Sequence, residues 1–115
     1  MTHKQTLTAI LPCNDMAKSR AFYEKLGFVV DGDYDDYLIL SHPCGADLHL
    51  QPAVPGWLVP GQNPFGLYLY VEDVDGVAAK AGATARETDW GMYEAAFSDP
   101  DETLIRVGWP MRLRG

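Results

Sequence analysis

The stretch that decides the fold is residues 66–83, GLYLYVEDVDGVAAKAGA, in which a strand, a helix start and a helix stop follow one another. Its first part, GLYLYV, alternates two kinds of side chain with the period of two that predicts a β-strand with unlike faces. Asp73 stands where it can cap a helix through VDGVAAKA, and Gly82 is placed to end that helix. These residues therefore predict a strand that leads directly into a short helix.

The first half of the chain shows the same order of signals. Residues 5–11, QTLTAIL, alternate like a strand, and Pro12 is expected to end its ladder. Asn14 or Asp15 can cap the helix that follows, MAKSRAFYEKL, which Gly27 is expected to stop. The apolar positions expected on the buried side of this helix are Ala17, Ala21, Phe22 and Leu26.

Each helix is followed by three short β-like runs, so each half reads β-α-β-β-β. In the first half the runs lie within residues 28–51; in the second they are ATARET, MYEAAFS and TLIRVGW. HPCGADLHL (42–50) also superposes on DPDETLIRV (99–107), which favours an internal duplication. Residues 52–65, with four prolines and two glycines, form a connector.

The duplication predicts one α+β domain over residues 1–115, with module one at about 5–51 and module two at about 66–110. Each half-sheet has one face under its helix and one open face. Together the two modules are expected to form an open, curved mixed sheet with a concave cleft.

Composition restricts the partners. The chain has 9 basic and 16 acidic side chains, a net charge of −7, which disfavours nucleic acid and anionic membranes and suits cationic ligands or simple solubility. Cys13 and Cys44 are too few for a disulfide scaffold, and no segment approaches the ~20 apolar residues of a membrane span. We therefore expect a soluble, cytoplasmic protein.

Three segments, taken in order, resemble a known superfamily. LPCNDMAKSRAFYEKLGF, LYLYVEDVDGVAAKAGA and FSDPDETLIRV are similar to the vicinal oxygen chelate superfamily of glyoxalases, extradiol dioxygenases and bleomycin-resistance proteins. The resemblance covers roughly residues 6–108 and implies the paired βαβββ fold. The loop DPDETLIRV departs from the family pattern at Glu102 and Thr103, where a Gly-Asn pair is usual.

The resemblance also implies four metal-ligand positions, on the first and last strands of each half. They fall near Thr8, at His49, at Gly66 and at Arg106. Only His49 could bind a metal, and a catalytic divalent site needs about three protein ligands. We therefore expect no metal, no cofactor and no catalytic residues, with His49 as polar lining of the open face.

An aromatic wall is expected in place of the metal site. Tyr68 and Tyr70 share the face of Gly66 and point into the cleft. This pattern is most similar to the bleomycin-resistance branch, and the segments DDYL and DWGMYE resemble that branch in placing Tyr37 and Trp90 at the cleft. Half-buried packing is the alternative role for these tyrosines.

The leading hypothesis is non-catalytic binding and sequestration of an aromatic, cationic small molecule such as a bleomycin-type antibiotic. Tyr37, Tyr68, Tyr70 and Trp90 would stack on the ligand, and His49, Gln51 and Arg106 would orient its polar groups. A metal-dependent lyase or dioxygenase with atypical ligands, and an accessory module filled by a partner chain, remain alternatives.

Two further expectations concern assembly and charge. The superfamily's small members pair, so we expect a homodimer in which two chains complete each cleft. Trp57 and Trp109 are candidates for that subunit contact. The run DGDYDD (31–36) is either a solvated hairpin turn or an acidic patch that attracts a cation.

Overall fold

Two copies of one order of elements, strand, helix and three strands, make up the chain in a computed structural model that describes residues 3–114. The first copy consists of β1 (Ala9–Cys13), α1 (Met16–Lys25), β2 (Val29–Asp33), β3 (Leu38–Ser41) and β4 (Asp47–Pro52). The second consists of β5 (Gly66–Tyr70), α2 (Val74–Lys80), β6 (Arg86–Glu87), β7 (Met92–Ser98) and β8 (Leu104–Pro110). The predicted α+β class with two βαβββ modules is confirmed.

The two modules form two separate four-stranded sheets with the same topology. Sheet one has the order β1-β4-β3-β2, and sheet two has the order β5-β8-β7-β6. In each sheet the first strand is parallel to its neighbour, β1 to β4 and β5 to β8, and the remaining pairs are antiparallel. This equivalence of strand order agrees with the internal duplication read from the sequence.

Both helices begin and end at the positions that the capping residues in the sequence predicted. Asp15 accepts a hydrogen bond from the Lys18 amide (3.1 Å), and Asp73 accepts one from the Gly76 amide (3.0 Å). Gly82 follows α2 with φ 72°, a left-handed conformation in which a side chain would be strained. The strand-to-helix reading of residues 66–83 is therefore correct.

The first strand was predicted wrongly at its end. Pro12 does not stop the ladder but lies inside β1, in register with Gln51 of β4. β1 is an edge strand with a neighbour on one side only, so the sheet can do without the backbone N–H that a proline lacks. The length of the strand predicted at residues 83–88 was also overestimated, since only Arg86–Glu87 form β6.

The predicted buried face of α1 is confirmed for Phe22 and for Leu26 at the C-cap, and it is wrong for the two alanines. Ser19 and Tyr23 are fully buried, whereas Ala17 and Ala21 are exposed. The reason is the loop of residues 99–103, which packs against the helix and needs hydrogen-bond donors. Tyr23 donates its hydroxyl to Asp99 (2.7 Å), and Ser19 donates to Asp101 (3.5 Å).

One hydrophobic core contains residues from both modules. The aliphatic strand residues at 2 % exposure or less come from both sheets: Leu40, Leu48, Leu50, Ile105 and Val107. Because the inner faces of both sheets contribute to this core, the open face of each sheet points away from it. No helix among residues 3–114 has the length and apolar character needed to cross a membrane.

Candidate functional site

The open face of sheet two carries an exposed pair of tyrosines. Tyr68 and Tyr70 project from β5 on the face opposite Leu67 and Leu69, and they are 38 % and 55 % exposed. Their ring centroids lie 4.8 Å apart at an interplanar angle of 43°. The alternation of β5 therefore presents two adjacent aromatic rings to the outside of the sheet.

Gly108 allows Tyr68 to lie across the sheet. It sits on β8 opposite Tyr70 and Glu94, and a Cβ at this position would overlap the Tyr68 hydroxyl. The same Cβ would lie 3.0 Å from the Cβ of Glu94, so the three residues crowd together. The absent side chain thus leaves the space in which Tyr68 reaches Glu94.

Trp90 is held beside this pair by a hydrogen bond. Its indole N–H donates to Glu94 Oε1 over 2.7 Å, while the side chain remains 62 % exposed. The turn that presents it is closed by Thr88, whose hydroxyl donates to the Met92 carbonyl (2.7 Å), and Gly91 adopts φ 84° there. The Trp90 ring is therefore held in one orientation just before the start of β7.

Glu94 is the unusual residue of this face. It is only 6 % exposed, and its Oε2 has no hydrogen-bond partner among residues 3–114. Burial raises the pKa of Tyr68 to about 12, and the hydrogen-bonding contact with Glu94 and the charge of its carboxylate act in the same direction, so this tyrosine is a neutral hydroxyl at physiological pH.

A hollow of about 230 Å³ opens next to Glu94. Its lining consists of Thr84, Arg86, Trp90, Glu94, Ala95, Ala96 and Arg106. Neither arginine lies within 4.0 Å of a carboxylate oxygen in the described part of the chain. An indole, a carboxylate and two guanidinium groups therefore face one small space.

The remaining predicted residues lie on the open face of sheet one. The Tyr37 hydroxyl and His49 Nδ1 are 2.7 Å apart, and the two rings meet edge to face at 5.1 Å. Gln51 is exposed two residues further along β4. His49 also lines a second hollow, of about 390 Å³, together with Thr8 and Ile39.

The candidate residues are thus brought together in two groups. Tyr68, Tyr70, Trp90 and Arg106 share the open face of sheet two, whereas Tyr37, His49 and Gln51 share that of sheet one. They separate because the two open faces belong to different sheets whose inner faces are buried in a common core.

The residues at the superfamily's metal-ligand positions do not fit a divalent cation. Gly66 offers no side-chain donor, and Arg106 presents a permanent positive charge on the same face. No group of three His, Cys, Asp or Glu side chains within residues 3–114 is arranged to hold an ion.

The acidic run 31–36 covers the end of β2 and the turn that leads to β3. Asp33 accepts a hydrogen bond from Arg20 on α1 (2.9 Å), and Asp35 adopts φ 66°. Asp31 lines the hollow on sheet one. The run is therefore part of a hairpin, and one of its carboxylates borders a hollow.

Reasoning from the sequence missed Glu94 and Arg86. Glu94 is the only charged residue in the strand MYEAAFS, and it follows Trp90 by four positions. A lone charge within an otherwise apolar strand was the available signal. Its hydrogen bond to Trp90 depends on the turn geometry, which the strand pattern does not reveal.

Comparisons with known proteins agree with the topology. The chain matches the profile of the Glyoxalase/Bleomycin resistance protein/Dioxygenase superfamily over residues 5–107. No curated protein sequence matches it significantly.

Three solved structures show the likeness in three dimensions. A bleomycin resistance determinant encoded on transposon Tn5 is 26 % identical, with a TM-score of 0.80 over 93 % of this chain and 98 % of that one. A bleomycin-binding protein complexed with bleomycin is 26 % identical, with a TM-score of 0.75 and the same coverage. TnmS3, an antibiotic binding protein from Streptomyces sp. CB03234, is 26 % identical, with a TM-score of 0.68 over 96 % of this chain and 98 % of that one.

The family profile spans most of the chain, and the fold repeats the architecture of these structures. The chain therefore belongs to the glyoxalase, bleomycin resistance protein and dioxygenase superfamily.

Proposed function

We propose that this protein binds and sequesters a planar aromatic small molecule, such as a bleomycin-type antibiotic, without converting it chemically. The observation that carries the proposal is the exposed aromatic surface of sheet two, formed by Tyr68, Tyr70 and Trp90, of which Trp90 also lines the hollow beside Glu94. The likeness to a bleomycin resistance determinant and to a bleomycin-binding protein supports this class of ligand.

Stacking supplies the affinity in this proposal. Each contact between a flat ligand and an aromatic side chain contributes about 0.5–1.5 kcal/mol beyond the burial of apolar area. The tyrosine pair is already in contact, and the hydrogen bond of Trp90 restricts its ring, so little rotamer freedom is lost on binding.

Charge acts on two length scales. The net charge of −7 attracts cationic ligands from a distance, an effect that salt screens. At the surface itself, Arg106 lies beside the tyrosines and acts on polar groups of the ligand. A bleomycin-type molecule, which combines planar rings with several polar groups, meets both kinds of surface.

Sheet one contributes the second half of the site in a homodimer. The region around β1 exposes Leu7, Ile10, Trp57 and Phe65, and Trp57 is 81 % exposed. An apolar hollow of about 360 Å³, lined by Ile10, Trp57 and Phe65 among others, lies in the same region. We propose that a second chain covers it and brings Tyr37, His49 and Gln51 opposite the tyrosines of its partner.

Size-exclusion chromatography with light scattering tests this dimer. The natural chain should have about twice the mass of 12.7 kDa, and Trp57→Asp should be a monomer. A natural chain that elutes as a monomer would reject it.

We propose a cytoplasmic location as well, because Cys13 and Cys44 are both free thiols. Fractionation of the cells that produce the protein would test that location, because the protein should be recovered in the cytoplasmic fraction.

Tryptophan fluorescence tests the binding proposal. Protein freed of metal by a chelator is titrated with metal-free bleomycin, and we expect saturable quenching. Trp90→Ala should weaken binding about tenfold or more, since it removes one stacked ring and the ordering of Glu94. Tyr34→Ala, which removes an exposed ring in the turn between β2 and β3, serves as the matched control.

Three outcomes contradict the proposal. They are unchanged emission with bleomycin and other planar antibiotics, equal affinity of Trp90→Ala and the natural chain, and chemical turnover of the ligand when a divalent metal is added. The last result would instead establish the metal-dependent lyase or dioxygenase.

A further inference from the structure

The hollow beside Trp90 is built for more than stacking. Glu94 buries a carboxylate at 6 % exposure and uses only one of its two oxygens. Leaving a buried acceptor without a donor costs free energy, so such a group in a stable fold calls for an explanation. A donor supplied by a bound molecule is one explanation, and the position of the carboxylate beside a hollow favours it.

The carboxylate is held in a fixed orientation. Trp90 donates to Oε1 over 2.7 Å, and Gly108 lets the backbone of β8 and the Tyr68 hydroxyl crowd the side chain from below. Because Oε1 accepts from Trp90, Oε2 is the atom that can accept a donor from a ligand, with the Tyr68 hydroxyl close to the same carboxylate. An acceptor that is ordered before binding loses less entropy when the hydrogen bond forms.

The same hollow also carries positive charge from the strands on either side of β7. Arg86 and Arg106 both line it, and neither is paired with a carboxylate within residues 3–114. Two guanidinium groups outweigh the one carboxylate, so a bare cation is disfavoured in this space. Guanidinium groups bind carboxylate and other oxygen acceptors through paired N–H donors.

We propose that this hollow is a subsite for a planar group that carries an N–H donor and an oxygen acceptor, such as an amino-substituted aromatic carboxylate or a carboxamide. Glu94 Oε2 accepts the N–H, Arg106 with Arg86 donates to the oxygen acceptor, and Trp90 covers one face of the plane. This rests on the proposed function and specifies it: the part of the ligand that enters the hollow is neutral or anionic, whatever charge the rest carries.

The test uses small probes that differ in one group each. The 3- and 4-aminobenzoates carry both the donor and the acceptor at two separations. The corresponding methylbenzoates lack the donor, and the methylanilines lack the acceptor. Binding is followed through the indole N–H signal of Trp90 in a two-dimensional 1H–15N NMR spectrum, assigned by its loss in Trp90→Phe.

We expect at least one aminobenzoate to shift this signal and to bind about tenfold more tightly than its methylbenzoate, as a hydrogen bond to a charged group predicts. In Glu94→Met, which keeps the length of the side chain without an acceptor, that advantage should vanish. Arg106→Gln should remove the advantage of the methylbenzoates over the methylanilines. Glu72→Gln, a change at an exposed glutamate, should leave every affinity unaltered.

Two results would overturn the subsite. One is equal affinity for aminobenzoate and methylbenzoate in the natural chain, including no binding of either. The other is a donor advantage that persists in Glu94→Met. This outcome can be separated from that of the bleomycin titration. If the protein discriminates between the probes but does not bind bleomycin, the subsite stands and the bleomycin assignment is rejected. If it binds bleomycin but does not discriminate between the probes, the bleomycin assignment stands and the subsite is rejected.

Discussion

At the scale of single residues, Glu94 illustrates a conflict between stability and binding. Its carboxylate is buried with one oxygen unpaired, although an apolar or amide side chain would fit the same strand position. Residues that bind ligands are often less than optimal for the free fold, because the missing partner arrives with the ligand.

Glu94→Gln is therefore expected to stabilise the free protein. The amide oxygen can still accept the Trp90 N–H, and a neutral amide is less costly to bury than an ionised carboxylate. We expect the free energy of unfolding to rise by about 1 kcal/mol, since an unpaired buried acceptor costs about 1–3 kcal/mol. Urea denaturation measures this change, with Glu72→Gln as the control, and a clear loss of stability would contradict the assignment of Oε2 as unpaired.

A second residue makes stability depend on alkaline pH. Burial raises the pKa of the Cys13 thiol from 9.0 to about 11. The unfolded thiol therefore loses its proton first, and the free energy of unfolding falls as pH rises from about 9 through 11. One shifted thiol accounts for about 2 kcal/mol over this window, at roughly 1.4 kcal/mol per pH unit.

Denaturant unfolding at pH 8 and pH 11 isolates this effect by comparing the natural chain with Cys13→Ala. The loss of stability between the two pH values should be smaller by about 2 kcal/mol in Cys13→Ala. Cys44→Ala, which removes the exposed thiol, should behave like the natural chain. Parallel pH profiles for all three proteins would disprove the burial effect.

At the scale of elements, the junction between α1 and residues 99–103 holds module one against module two. Asp99 accepts hydrogen bonds from the Asp101 and Thr103 amides through Oδ1 and from the Tyr23 hydroxyl through Oδ2. Asn63 adds bonds from the connector to the Asp101 carbonyl and the Thr103 hydroxyl, each 2.9 Å long. A loop of the second module thus organises a helix of the first.

Tyr23→Phe should weaken this junction without changing the shape of the core. The variant leaves Asp99 Oδ2 buried without its donor, and we expect a loss of about 2 kcal/mol, within the range for an unsatisfied buried acceptor. Tyr34→Phe, at an exposed tyrosine in the hairpin turn, is the matched control. Equal stability of the two variants, measured by thermal and urea unfolding, would show that the Tyr23 bond contributes nothing.

The same elements show what sequence patterns can and cannot predict. Capping by Asp15 and Asp73 acts over three residues, so both helix starts were predicted correctly. The buried face of α1 depends instead on a loop about 80 positions away, as the Ser19 to Asp101 hydrogen bond shows. Pro12 was misjudged for a related reason, since its tolerance follows from the edge position of β1 in the sheet.

At the scale of the whole molecule, duplication predicted the architecture and only part of the site. Alternation along β5 was enough to place Tyr68 and Tyr70 on an open face. It could not reveal that the open face with Tyr37 and His49 points away from the shared core, as that of sheet two does, because this depends on how the two modules pack. Glu94 escaped notice because its role arises from a turn, a glycine and a tyrosine that are distant in sequence.

The central claim is that the aromatic face of sheet two holds a planar ligand by stacking. Calorimetric titration of metal-free protein with metal-free bleomycin, comparing the natural chain with the double variant Tyr68→Ala, Tyr70→Ala, tests it directly. Loss of two stacked rings should weaken binding at least tenfold, at about 0.5–1.5 kcal/mol for each ring beyond area burial. Tyr34→Ala, at an exposed tyrosine outside the face, should bind like the natural chain. Equal affinity in all three proteins would contradict the claim.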